Sequence, residues 1–310
     1  MPSTQLTKQQ SDRLKNFAAI ASISVATILC LLKILGAWLS DSLAVLSSMI
    51  DSLSDIFGSL ITLIAIRYAA KPASPRHRYG YGKAEALSAL TQSAFIAGSG
   101  LFVLYDGINR FISPRPLLDT QIGLIIMTIS LIATIILIVF QRHVAKRTNS
   151  QAILADSAHY LVDILTNGAI IISLFAVKFC NAVWVDPLTA TLISLYLLYN
   201  AYSLACEAIG LLLDRELSED IRNNICHIIT SQPFVCGVHD LRTHDLGGCY
   251  MFEFHLELDG NLTLCQAHEY SDIVSHKLRE AYPGAQIIIH QDPSGIKEHR
   301  LDHQLKSDKE

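Results

Sequence analysis

Three things are scarce in this chain: charge, basic excess and paired cysteines. Each shortage removes a class of function. Only 17% of the 310 residues are Asp, Glu, Lys or Arg, and they leave a net charge of −4 with a pI near 6.3. A surface without a basic field does not gather phosphate backbones, so nucleic acid is excluded as a partner. The seven cysteines (Cys30, Cys180, Cys206, Cys226, Cys236, Cys249 and Cys265) are scattered, odd in number and never two residues apart from one another as CxxC. That pattern excludes a disulfide framework and a thiolate zinc finger. No nucleophile or loop motif of a hydrolase is recognisable, which argues against an enzyme. The first apolar run, Phe17 to Leu39, lacks a cleavage signature and is about twice the length of a signal-peptide core, so it reads as a retained span.

What the chain has in quantity is apolar sequence: 51% hydrophobic residues and a mean hydropathy of +0.35. This is the composition of a membrane protein with a soluble part attached. Six runs approach the ~20 residues that cross a hydrocarbon core. They cover Phe17 to Leu39, Leu43 to Ala70, Ala84 to Ile112, Gly123 to Phe140, Ala152 to Phe179 and Leu188 to Leu213. Lys8, Arg13 and Lys15 precede the first run, Arg67, Lys71, Arg76, Arg78 and Lys83 lie between the second and third, and Arg142, Lys146 and Arg147 between the fourth and fifth. The opposite side carries only Arg110, Arg115 and Lys178, so the positive-inside rule predicts that both termini are cytoplasmic.

The second run is interrupted by Asp51 and Asp55, four apart and therefore on one helical face. The fifth carries His159 and Asp163 at the same spacing. A carboxylate at membrane depth costs roughly 2.5 to 3.5 kcal/mol, so these groups need protons, a cationic side chain such as Lys33, or a bound cation. Three carboxylates and one imidazole suit tetrahedral Zn²⁺, and also Cd²⁺, Fe²⁺ or Co²⁺. With the carboxylates ionised, an empty site carries three negative charges, of which a divalent ion offsets two. Metal and protons compete for the same lone pairs, which is the physical requirement of an antiporter.

After Asp214 the sequence predicts a soluble α+β domain in the order αββαβ: a helix from Ser218 to Thr230, strands over Gly237 to His244 and Tyr250 to Leu258, a helix capped by Thr263 and Gln266, and a last strand from Gln286 to Asp292. The expected division is a cytoplasmic N-terminal segment (1–16), a membrane domain (17–213), a cytoplasmic metal-binding domain (214–293) and a disordered tail (294–310). His239, His255, His268 and His290 fall on these elements, and His290 shares a face with Asp292, a carboxylate flanked by imidazoles that suits two metal ions. Lys83 and Asp214 bracket the membrane domain and form a candidate ion pair.

These residues carry a resemblance. Ile50 to Asp55, Gly80 to Glu85, Gln141-Arg142, Ala155-Asp156 with His159-Tyr160 and Asp163, Leu213 to Arg215, His239 to Thr243 and His290 to Pro293 are similar to strings of the cation diffusion facilitators, in particular their bacterial zinc and ferrous-iron efflux branch. The resemblance implies a six-span, Y-shaped homodimer in the bacterial inner membrane, with a metallochaperone-like cytoplasmic domain. It implies a transport site of Asp51, Asp55, His159 and Asp163, with alternating access driven by H⁺ exchange. It further implies a binuclear cytoplasmic site of His239, His255, His268 and His290 bridged by Asp292, where metal has a regulatory or structural role, and an interlocking Lys83–Asp214 pair. The family's loop site of one acidic residue and two histidines falls here on Ser74, His77 and Tyr81, so only His77 is retained and the loop is at most a weak metal site. The expected function is proton-coupled efflux of Zn²⁺, with Fe²⁺ or Cd²⁺ as further substrates; the alternative is a membrane metal sensor that moves no ion.

Overall fold

The structure is a computed structural model. It describes the backbone of residues 7–40, 43–112, 121–180, 185–296, 300, 301 and 304. Side chains are described within these stretches except at 8, 33, 36–40, 43–54, 110–112, 121–127, 166, 167, 169–180, 185 and 186. The chain divides into two compact units, Met1–Ile209 and Gly210–Glu310.

The first unit is built from long helices: α1 (Lys8–Ser40), α2 (Leu43–Ala69), α3 (Ala84–Ile112), α4 (Gln121–Thr148), α5 (Gln151–Cys180) and α6 (Val185–Leu212, whose last turn enters the second unit). Among the described residues, α1, α3, α4 and α6 are long and apolar enough to cross a membrane. Parts of α2 and α5 lie outside the residues whose side chains are described. Small residues line the helix contacts. On α1, Ala18, Ala19, Ser22 and Ala26 recur at three- and four-residue spacing and are all buried. Gly100 and Gly107 of α3 lie against Leu198 and Ala190 of α6, where an added Cβ would come within 3.3 and 3.2 Å of a neighbouring atom. Large apolar side chains instead face outward, Phe102 and Ile136 among them, as befits a surface solvated by lipid. At the ends of α1, α3 and α5, Lys15 Nζ donates to Glu85 Oε1 at 2.7 Å, with both residues buried, and Ser150 Oγ donates to Glu85 Oε2.

The second unit follows the predicted order: α7 (Glu219–Thr230), β1 (Gly237–Asp245), β2 (Tyr250–Leu258), α8 (Leu264–Ala281) and β3 (Gln286–Pro293). The sheet runs β1-β2-β3, with β1 antiparallel and β3 parallel to β2, so α8 is the crossover that a parallel pair requires. Phe252, Phe254, Leu256 and Leu258 alternate inward from β2 and pack with Ile225 and Ile229 of α7 and Val274 and Leu278 of α8. Thr263 and Gln266 form the expected capping box, whereas Ser218 stands at the start of α7 without a side-chain capping bond. Gly247 and Gly248 both take φ +91°, which turns the chain between β1 and β2, and Asp245 Oδ1 accepts both of their N–H groups.

The connection after α6 is pinned to β1. Thr243 N donates to Glu216 Oε2 at 3.0 Å, Leu217 N donates to Thr243 Oγ1 at 3.1 Å, and His244 Nε2 lies 3.6 Å from Asp214 Oδ1. Part of the stretch expected to be disordered is also engaged: Arg300 pairs with Glu257, and Leu301 N donates to Asp240 Oδ2 at 2.9 Å.

Candidate functional site

In the membrane unit, α2 and α5 pack so that His159 Nε2 is 3.1 Å from Asp55 Oδ1. Both side chains are nearly sequestered, at 10% and 13% exposure. His159 Nδ1 is buried and has no hydrogen-bond partner among the described residues, an unusual state for an imidazole nitrogen. Asp163 lies one turn further along the same face of α5 and is half-buried. Asp51 lies one turn before Asp55 on α2, but its side chain, like that of Lys33, is outside the described residues. The structure therefore brings together Asp55 and His159 from two helices that the sequence could only treat separately.

In the second unit the three strands place His239, His255 and His290 in one cross-strand row, His239 opposite His255 and His255 opposite His290. The rings follow, with centroids 4.9 Å apart for the first pair and 4.6 Å for the second. Asp292, two residues beyond His290 on β3, reaches all three. Its Oδ2 is 2.7 Å from His255 Nδ1 and 3.8 Å from His239 Nε2, and its Oδ1 is 3.2 Å from His290 Nε2. The carboxylate is thus shared on both oxygens, the arrangement that lets one carboxylate bridge two cations. His239, His255 and Asp292 offer ligand atoms within 4.8 Å of one another.

A β-bulge shapes this end of β1. Between His239 and Arg242 the register slips by one residue, and Asp240 there takes φ +51°, a conformation that Asp tolerates better than most residues. His268 is not brought into the row within one chain: it is 72% exposed and pairs with Asp272 on its own helix at 3.5 Å.

The loop between α2 and α3 is closed without any metal ligand cluster among the described residues. Ser74 and His77 exchange backbone hydrogen bonds, Ser74 Oγ and Tyr81 OH are 2.8 Å apart, and the His77 ring lies 4.6 Å from that of Tyr81. Lys83 begins the approach to α3 in the first unit, while Asp214, at φ +56°, belongs to the second. One buried residue carried no role in the sequence reading: Asp156, three positions before His159 on α5 and fully buried. Its spacing to His159 and Asp163 was visible, but its partners lie on four other helices.

An apolar helical bundle whose charged groups meet across α2 and α5, joined to a small sheet domain with an imidazole–carboxylate row, is the build of a membrane cation transporter. The model of the cation efflux transmembrane domain matches residues 19–213, that of the cation efflux protein cytoplasmic domain matches 217–294, and the chain belongs to the cation efflux, or cation diffusion facilitator, family. It is 43% identical over 288 residues to the cation-efflux pump FieF of Escherichia fergusonii, a match that covers 93% of this chain and 96% of that one. FieF of Shigella boydii serotype 18 matches at the same identity and coverage. A solved chain of CzrB aligns with 26% of this chain and 99% of its own length at 31% identity, with a TM-score of 0.25. The protein is accordingly a cation efflux transporter with a helical transmembrane domain, and its second domain is of a dimerising kind.

Proposed function

We propose that this chain exports Zn²⁺, and with it Fe²⁺ or Cd²⁺, across the bacterial inner membrane in exchange for H⁺. In this reading all six long helices cross the bilayer, both termini are cytoplasmic, and two copies work as a homodimer. The transport site is Asp51, Asp55, His159 and Asp163. The observation that carries the proposal is the 3.1 Å approach of His159 Nε2 to Asp55 Oδ1 between two helices of a membrane bundle. Protonating the imidazole removes the lone pair a metal needs, so a proton arriving from one side releases metal and its departure on the other restores affinity. Alternating access then makes each exchange productive. The row of His239, His255 and His290 with Asp292 is proposed as a binuclear cytoplasmic site, with Asp292 bridging and His268 completing it in the dimer, and it supports pairing and regulation rather than translocation.

The test is reconstitution of the full chain in proteoliposomes containing a zinc-sensitive dye. Zn²⁺ flux that follows an imposed pH gradient, and that Asp55→Ala abolishes, is the expected result. Metal binding without flux would instead make the protein a sensor.

A further inference from the structure

We propose that Asp156 is a positioning residue for the transport site: its carboxylate ties five helices together and fixes how α2 is rotated against α5, and so how Asp55 meets His159. This inference rests on the transport reading above.

Asp156 is fully buried on α5. Its Oδ2 accepts from Ser22 Oγ of α1 and from Gln141 Nε2 of α4, each at 2.6 Å. Its Oδ1 accepts from Ser59 Oγ of α2 at 3.3 Å and from Gln92 Nε2 of α3 at 3.4 Å. The hydroxyls are linked to one another as well: Tyr160 OH and Ser59 Oγ are 2.8 Å apart, and Ser59 Oγ and Ser22 Oγ 2.7 Å. One consistent assignment has Tyr160 donating to Ser59, Ser59 dividing its one proton between Ser22 Oγ and Asp156 Oδ1, and Ser22 donating to the carboxylate, so that every hydroxyl proton points toward Asp156.

The two carboxamides show how strongly this acceptor organises its surroundings. Gln92 and Gln141 both turn their N–H groups toward Asp156, and the buried Oε1 of each has no partner among the described residues. Gln92 Nε2 also donates to Gly58 O and Thr62 Oγ1, both 3.0 Å away on α2. Forgoing acceptor partners in a dry interior is unfavourable unless the donors meet something stronger than a neutral oxygen, and an acceptor-only carboxylate is that group.

The placement gives the network its purpose. Ser59 is four residues after Asp55 on α2, and Asp156 is three residues before His159 on α5, so the Ser59–Asp156 tie lies about one 5.4 Å helical turn from the His159–Asp55 contact. A single contact between two helices leaves them free to roll. Two contacts a turn apart fix both separation and rotation, and ligand geometry is sensitive to both.

The test measures the initial rate of Zn²⁺ flux against Zn²⁺ concentration in proteoliposomes of the full chain. Wild type, Asp55→Ala, Asp156→Asn and the exchange of Asp156→Asn with Gln141→Glu are compared. Asp156→Asn keeps the shape of the side chain but sets an N–H₂ among donors. Its KM is expected to rise on the order of 10-fold with a smaller change in kcat, the scale on which groups supporting metal ligands act. The exchange returns one carboxylate and one carboxamide to the same junction and is expected to recover most of that loss. Ser59→Ala, a milder cut of the α2 tie, should raise KM in the same direction and decides the matter if Asp156→Asn does not fold. An unchanged KM, or a fall in kcat alone together with a lower Tm, overturns the inference and leaves Asp156 a merely structural acceptor. Wild-type protein without flux overturns the transport reading instead. Equilibrium Zn²⁺ binding, with the cytoplasmic row disabled by Asp292→Ala, then still reports whether Asp156→Asn weakens the Asp55–His159 site.

Discussion

The two units hold the same kinds of side chain under opposite conditions. In the membrane unit the side chains of Asp55 and His159 are 13% and 10% exposed. In the sheet domain exposure climbs along the row, from 6% at His239 through 29% at His255 to 65% at His290, while the shared Asp292 stays at 7%. The first arrangement is closed by its own chain. The second is finished on one side and open on the other, which is what a domain that pairs with a copy of itself would present. In the proposed reading, similar donor sets serve passage in one place and association in the other, and what separates them is how much of the surroundings one chain supplies.

The sharpest way to break that contrast is at its extremes. His159→Ala should lower Zn²⁺ flux roughly 100-fold or more, because it removes the imidazole ligand of the proposed transport site, while metal taken up by the cytoplasmic row stays intact. Flux close to wild type would move transport away from α5. Phe254→Ala is the complementary blow: it empties a fully buried position in the sheet core and should cost about 3–5 kcal/mol of cytoplasmic-domain stability, read as an early unfolding step in a thermal melt. A single transition shifted as a whole would mean the units do not unfold separately. Asp292→Asn should weaken metal binding in the cytoplasmic row about 10- to 100-fold and remove metal-induced stabilisation of the dimer, measured by calorimetry and by sedimentation with and without Zn²⁺. Acidification should weaken both sites together, since imidazole must be neutral to bind; affinity falls as pH falls, and binding that is flat from pH 7.5 to 5.5 would contradict imidazole ligation at either. The smallest effect belongs to His77→Ala, which should leave metal stoichiometry unchanged because contacts among Ser74, His77 and Tyr81 already hold that loop.

Much of this was legible in sequence where the signal is local. Four-residue spacing put His159 and Asp163 on one face, alternation in Tyr250 to Leu258 gave the core strand, and Thr263 with Gln266 announced a helix start. Signals that depend on distant pairings were not legible. That His239, His255 and His290 form a single row depends on the register of one antiparallel and one parallel ladder, and on a bulge at Asp240 that no local residue pattern declares. Asp156 is the clearest case, since Ser22 is 134 residues away from it in the chain and Gln92 is 64. Ser218 shows the opposite failure, a residue with the right identity in the right place whose side chain makes no capping bond.

The stretch from Asp214 to Leu217 is bound into the edge of the sheet by Thr243, with the Glu216 carboxylate also 3.3 Å from Arg222 Nε. These residues are therefore not slack rope but a fitting spliced onto the sheet of the second unit. An inserted residue there has nowhere to loop out without unfastening Thr243, so a fusion protein or reporter joined to this chain is better attached beyond Leu301 than spliced in behind the last membrane helix.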